Sequence, residues 1–379
     1  MSDWLTASQV MERLGLKPQT LYAYVSRGLI EARADGTDSR RRLYRAADVE
    51  RLLHRKTRGR RQAAIAEDAI SWGEPVLASA ITTIARGRLW YRGQDAARLA
   101  ETSKLEDVAR LLWDCGTQRF PPLFTLVPEG PPLRRIFAVL GERAASDPAM
   151  AGRTKKALYL EAASVLDSLV DAIAGRPGQG PIHARLAAAW GCDEAGSALI
   201  RRALVLLADH ELNASTFAVR VTASTRASLA ACVTAGLAAL SGPLHGGMVR
   251  RVLALMREAE REGLEAALGE RLAAGTPLPG FGHPLYPDGD PRAAALLSAF
   301  ALPAPYARMR EAVAALTGEE PTVDFALTAM AARLGLPEEV PYLLFAAARC
   351  TGWIAHALEQ NETGRLIRPR ARYTGPEPG

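Results

Sequence analysis

From residue 63 to residue 379, apolar side chains recur every three or four positions with almost no β-branched run to interrupt them, and this periodicity constrains the fold more than any motif. The segments Leu105–Trp113, Ala157–Ile173, Ala198–Ala208, Arg226–Leu240, Val249–Arg261 and Pro341–Gln360 all follow it on a background of Ala and Leu, which favour the helix. The pattern predicts an almost wholly α-helical body. Weak alternation over Pro75–Ile81, with Arg88–Gly93 after it, predicts one short strand pair at the front of that body. Residues Arg176–Pro181 read as a loop, and their two glycines are no phosphate cradle because neither GK[ST] nor GxGxxG follows. A chain of 379 residues has length for two or three domains and ample core.

The first sixty residues differ in character. The net charge of +6 is uneven: residues 1–61 hold 14 Lys/Arg against 7 Asp/Glu, and the remainder holds 33 against 34. The excess of basic charge therefore sits in the N-terminal segment, where it suits an anionic partner such as nucleic acid. Thr6-Ala7-Ser8-Gln9 forms a capping box ahead of Val10 and Leu14, with Gly15 as a stop. Pro18 opens a second helical stretch, Gln19 to Arg27, closed by Gly28. Leu29–Arg33 and Arg40–Tyr44 flank Asp35-Gly36 and predict a hairpin, and 46–56 reads as a third helix.

Through Leu5-Thr6-Ala7-Ser8, Thr20-Leu21-Tyr22 and Arg42-Leu43-Tyr44-Arg45, this segment resembles the winged helix-turn-helix module of MerR-type and excisionase-like regulators. That resemblance implies a second helix facing the DNA major groove with Gln19, Thr20, Tyr24 and Arg27, and a wing whose Arg40, Arg41 and Arg42 meet phosphates. A solvated wing, or a module that packs on protein, stays open as the alternative. The module is expected over 1–56 and a basic linker over 57–62.

Met1-Ser2-Asp3 leads into a polar helix and no apolar run reaches membrane-spanning length, so a cytoplasmic location and no membrane partner are expected. Cys115, Cys192, Cys232 and Cys350 are widely spaced, without a CxxC pair, and read as reduced core residues.

A set of polar residues stands out within the apolar body: Asp209-His210-Glu211 before Asn213–Phe217, Ser241-Gly242-Pro243-Leu244-His245-Gly246-Gly247, Gly280-Phe281-Gly282-His283 through Tyr286, Asp290-Pro291-Arg292, and Val323-Asp324-Phe325. Proline at the first helical position after an Asp cap puts Arg292 at a helix start. The glycines around His245 leave its backbone free to take unusual angles or to meet a ligand. Each residue also has a structural reading, His210 or Asp324 as a cap and His245 or His283 as a loop histidine serving backbone groups. A zinc site from the three histidines lacks any short ligand spacing.

Taken in order with Leu89–Gly93 and the tail Gly352-Trp353-Ile354-Ala355-His356 through Arg368-Pro369-Arg370, these motifs resemble those of citrate synthases across nearly the whole body. The resemblance implies an all-α large domain (63–246 and 336–379), an all-α small domain (247–335) that closes over substrates, and a homodimer. It implies condensation of acetyl-CoA with oxaloacetate to citrate and CoA, or of propionyl-CoA to 2-methylcitrate, with the thioester as substrate and no metal or other cofactor. Asp324 matches the base, His245 the donor to the enolate oxygen and His283 the group polarising the ketone. His210, Arg292, Arg349 and Arg368 match oxaloacetate-binding residues, the last supplied across the dimer. Met248-Val249-Arg250 departs from the family's usual small-polar-acidic stretch, and Pro284–Asp288 replaces basic residues near the CoA nucleotide. A metabolite-sensing DNA-binding regulator with an enzyme-like body is the rival.

Overall fold

The structure is a computed structural model, and it describes residues 4–14, 21, 25, 29–34, 42–50, 77–117, 126–371 and 373–376. They fall into two compact units, within Met1–Ala78 and within Ser79–Gly379.

In the N-terminal unit the predicted hairpin gains a third strand. Strand β2 (Ala32–Ala34) pairs antiparallel with β3 (Arg42–Arg45), and β1 (Trp4–Thr6) pairs with the other edge of β3, Leu5 facing Tyr44. Three residues are too few to show alternation, so β1 had no sequence signal. Helix α1 (Ala7–Leu14) begins at the predicted capping box: the Thr6 N–H donates to Gln9 Oε1 at 2.9 Å and the Gln9 N–H to Thr6 Oγ1 at 3.4 Å. Leu5, Val10, Leu14, Leu21, Ile30, Tyr44 and Val49 form the unit's own core. Arg42 is exposed at the start of β3, whereas Gln19, Thr20, Tyr24, Arg27, Arg40 and Arg41 lie outside the described residues, as does the linker at 57–62.

The body opens with a three-stranded meander, not the two-strand unit expected. Strand β4 is Thr82–Ala85, so the alternation read at Pro75–Ile81 ends where the strand begins; β5 is Arg88–Tyr91 and β6 is Gln94–Asp95. The displacement follows from turn chemistry. Arg86-Gly87 and Arg92-Gly93 both have positive φ at the two central positions, the conformation of tight hairpin turns, and they fix the register on either side of β5.

Helices follow: α2 (Ala96–Thr102), α3 (Leu105–Trp113), α4 (Pro132–Ser146), α5 (Lys155–Ala174), α6 (Ile182–Ala189), α7 (Glu194–Leu207), α8 (Ala214–Ser224), α9 (Leu229–Leu240), α10 (Met248–Glu262), α11 (Leu264–Ala273), α12 (Pro291–Leu297), α13 (Ala304–Thr317), α14 (Val323–Arg333) and α15 (Val340–Thr363). The sequence placed α9 three residues too early. Arg226 has φ 65°, outside the helical region, and the Ser228 side chain caps the true start by accepting from the Ala231 N–H. Helix α15 is buried along most of its length and packs against α3, α5, α7, α8, α9 and α14, which makes it the spine of the body. None of the described helices is long and apolar enough to cross a membrane.

Candidate functional site

Two chain reversals carry the first of the candidate side chains. Helix α7 ends at Leu207, and the hydroxyl of Tyr91, reaching in from β5, lies 3.1 Å from each of the carbonyls of Val205 and Leu206 in the last turn of the helix. The meander thus anchors the turn that presents Asp209 and His210, and the Ile84 N–H adds a bond to Glu211 Oε1 at 2.8 Å. Asp209 is fully buried, and its Oδ2 lies 3.3 Å from His356 Nε2. Burial alone would raise the Asp209 carboxyl, but His356, Arg349 and Thr82 together outweigh it and hold the group below its ordinary range.

The second reversal is Ser241–Gly247, between α9 and α10. Its glycines serve close packing and not unusual angles: a Cβ on Gly246 would lie 2.1 Å from Leu240 O, and one on Gly247 would lie 2.2 Å from Pro243 O. His245 Nε2 meets Ser215 Oγ at 2.8 Å. That hydroxyl also receives the Trp353 indole N–H at 3.1 Å and lies 2.7 Å from Asn213 Oδ1. The Ser215 O–H donates to Asn213 Oδ1, which also caps α8; a ring hydrogen on His245 Nδ1 requires that hydroxyl to turn from Asn213 toward Nε2. Burial, aided by the charge of Arg349, lowers the His245 pKa to about 4, so the ring is neutral at physiological pH.

His283 and Tyr286 share the loop before α12. The Leu285 N–H donates to His283 Nδ1 at 3.1 Å, which realises part of the backbone-serving role expected of a loop histidine. It also fixes the hydrogen of the neutral ring on Nε2, leaving that nitrogen as a donor. Burial, with the charge of Arg292, brings the His283 pKa down to about 4. Tyr286 Oη lies 2.9 Å from His210 Nε2, and the His210 and His283 rings meet edge-on with centroids 5.5 Å apart. Burial holds His210 well below the usual histidine range.

Asp290 caps α12 as predicted and does more. Its Oδ1 accepts from the Arg292 N–H at 3.0 Å, while its Oδ2 accepts from the Val323 N–H at 3.0 Å and so also caps α14. The Arg292 side chain closes a fork on the same carboxylate at 2.9 and 2.8 Å. Burial opposes the Arg292 charge, and the Asp290 carboxylate overrides it, so the guanidinium stays firmly protonated. Asp324 is in the first turn of α14 and is not its N-cap, which is Thr322. Burial pushes the Asp324 carboxyl up to about 6 against the pull of Arg292.

Arg349 enters from α15. Its Nε donates to Leu207 O at 3.1 Å, but its buried Nη2 has no hydrogen-bond partner among the described residues. Burial lowers its pKa to about 10, and Asp209 counteracts part of that.

Asp324 and His245 bound one cavity of about 10 Å³ together with Leu240, Gly246, Val249, Tyr342 and Phe345. A roomier cavity of about 420 Å³ lies elsewhere, between α3, α5 and the Gly178–Ile182 loop. Its Arg110 pairs with Asp107 and its Arg185 with Asp167, whereas the smaller cavity sets one neutral imidazole, His245, beside the raised carboxyl of Asp324, which makes it the candidate chemical site. His210, His283 and Arg292 meet around Tyr286, and both Arg292 and Arg349 lie near enough to Asp324 to bias its charge. Arg368 is not part of this cluster: it is exposed in the tail beyond α15. Sequence reading quoted Tyr91, Ser215, Val249 and Tyr286 within its motifs without giving them a role and did not single out Phe345; only packing gives them one. Among the described residues no group of three or more His, Cys, Asp or Glu is placed to hold a metal ion.

A family model described as "Citrate synthase, C-terminal domain" matches residues 141–370, and one described as "Helix-turn-helix domain" matches residues 4–57. Citrate synthase 2 of Bacillus subtilis is 38% identical over 197 residues, 46% of this chain and 50% of that protein. 2-Methylcitrate synthase 1 of Corynebacterium glutamicum is 36% identical over 187 residues, 46% of this chain and 49% of that protein. The chain spans about half the length of the curated relatives it matches. The crystal structure of citrate synthase from Thermotoga maritima aligns with a TM-score of 0.65 at 25% identity, covering 81% of this chain and 95% of that one.

Proposed function

The chain belongs to the citrate synthase family, with a helix-turn-helix domain at its N-terminus, and from that premise we propose that its body joins an acyl-CoA thioester to oxaloacetate and releases CoA. The observation that carries this reading is the shared cavity of Asp324 and His245, a carboxyl of raised pKa opposite a neutral imidazole. Asp324 takes a proton from the carbon beside the thioester carbonyl, and the electron pair moves onto the thioester oxygen, which accepts a hydrogen bond from His245. A neutral ring donates there through Nδ1–H, the tautomer that Ser215 supports when its hydroxyl turns toward Nε2. The carbon nucleophile attacks the ketone of oxaloacetate, and the ketone oxygen takes its proton from His283 Nε2–H. Water then cleaves the thioester to a carboxylate and free thiol.

Two arginines suit the two carboxylates of oxaloacetate. Arg349 has a free buried donor for one; Arg292 brings its guanidinium already neutralised in part by Asp290. We place His210 beside them as a further substrate contact, and Arg368 in the site of a partner subunit, since its exposure in the tail suits a role across a homodimer. Residues 247–335 act as the small domain, whose opening admits substrates that a 10 Å³ cavity excludes. Thiol release from acetyl-CoA in the presence of oxaloacetate is the test, with Asp324→Asn as the control; turnover by that variant at the wild-type rate sinks the mechanism.

The helix-turn-helix domain supports a second, compatible activity in DNA binding. Exposed Arg42 and Arg45 on β3 favour phosphate contacts, and Gln19, Thr20, Tyr24, Arg27, Arg40 and Arg41 complete the proposed surface. Retardation of DNA fragments that weakens steeply with added salt is the expected result, and none at low salt counts against it.

A further inference from the structure

Tyr342 lines the cavity shared by His245 and Asp324, and its hydroxyl is buried with no hydrogen-bond partner among the described residues. A buried hydroxyl is rarely left so, because taking it out of water without a partner is costly. The neighbouring side chains of Leu240, Val249 and Phe345 offer it nothing but carbon, so its acceptor has to arrive with a ligand.

Its place beside His245 does not depend on how far the site is open. Tyr342 stands in the first turn of α15, and a Cβ on Gly246 would lie 3.0 Å from its Cε2, so the phenol ring packs on the backbone next to His245. Helix α15 also packs on α9, which leads into the same reversal. Both residues lie outside 247–335, the segment whose movement admits substrate. Burial holds the hydroxyl above the ordinary phenol range against the pull of Arg250, which makes it a neutral donor and not a base.

A donor is what the cavity lacks. While the Ser215 O–H donates to Asn213 Oδ1, the bond between Ser215 Oγ and His245 Nε2 needs the ring hydrogen on Nε2, and Nδ1 is left as an acceptor. His245 gains a second donor only when Ser215 turns, whereas the Tyr342 hydrogen is already unclaimed. In the part of an acyl-CoA that meets Asp324, the thioester oxygen is the one strong acceptor, and negative charge collects on it once the α-proton has left.

We propose that Tyr342 is a further catalytic residue, whose hydroxyl donates to the thioester oxygen alongside His245 in a hydrogen bond that tightens as the enolate forms. The proposal rests on the acyl-transfer reading above.

Tyr342→Phe tests it by keeping the ring against Gly246 and removing only the hydroxyl. Loss of one donor of this kind costs about a hundredfold to a thousandfold in kcat; with His245 on the same oxygen, thiol release from acetyl-CoA or propionyl-CoA at saturating oxaloacetate is expected to fall at least about tenfold. The fall should be equal in kcat and in kcat/KM for the thioester, with KM for oxaloacetate unchanged, since the bond is made mainly in the transition state. The urea midpoint should be no lower than that of the wild type, because the hydroxyl has no such partner to lose. An unchanged kcat, a loss confined to KM, or a loss accompanied by a lower urea midpoint overturns the role of Tyr342 and leaves acyl transfer standing. Absence of thiol release by the wild-type chain from either thioester overturns the acyl-transfer reading, and the role of Tyr342 with it.

Discussion

Replacing Asp324 by Asn should remove activity and make the protein more stable at neutral pH, and the size of the second effect follows from the site. Burial shifts the carboxyl from 3.8 to about 6. At about 1.36 kcal/mol per unit, that is a cost on the order of 3 kcal/mol for holding the charged form in the native state. Because the folded pKa is raised, the native state binds more protons than the unfolded chain between about pH 4 and pH 6. Stability therefore falls as pH rises through that window and stays lower above it. Asp324 keeps some accessible surface on the cavity side, and an amide needs partners of its own, so a gain of about 1–2 kcal/mol at pH 8 is the realistic expectation. At roughly 2–4 °C per kcal/mol, the unfolding transition of the body should rise by about 2–8 °C. Scanning calorimetry of wild type and variant at about pH 8 and about pH 5 reads this directly. At the lower pH the native carboxyl is mostly protonated while the unfolded one is still ionised, so the gap should shrink to about half its size at pH 8. A gap of equal size at both pH values, or a variant less stable at pH 8, refutes the reasoning that desolvation sets the charge of this group.

Other substitutions test the supports around the site. Tyr286→Phe removes the hydroxyl 2.9 Å from His210 Nε2 while keeping the ring. A hydrogen bond worth about 1 kcal/mol predicts roughly a fivefold rise in KM for oxaloacetate with kcat within about twofold; an equal fall in both steady-state parameters for both substrates would speak for general loosening instead. Gly352→Ala places a Cβ 2.3 Å from Asp209 Oδ1 and 2.5 Å from Ala208 O, where α15 passes under the His210 turn. Overpacking of this kind costs about 1–3 kcal/mol, and a urea midpoint unchanged from wild type would show that the turn yields freely.

The helical class of the body, the capped start at Asp290-Pro291 and the box at Thr6–Gln9 were all legible in the sequence, because periodicity and capping are written within a few neighbouring residues. Helix α13 escaped notice because its buried stripe is only Tyr306, Met309 and Val313, thin against a run of alanines. The residue types of the site were legible too, as polar exceptions in apolar surroundings. Only the tertiary structure decides that Asp324 and His245, 79 positions apart in the sequence, share one cavity and that Val249 and Phe345 close it. The same holds for Asp290, whose carboxylate caps a helix 33 residues further on, and for Tyr91, which ties a three-stranded meander to the end of α7. Such pairings depend on which helix packs on which, and no local pattern encodes the distance between two side chains brought together by a core. The charges follow the same division. The sequence lists the titratable groups, but the burial that raises the Asp324 carboxyl and keeps three histidines neutral exists only once the surrounding helices have excluded water.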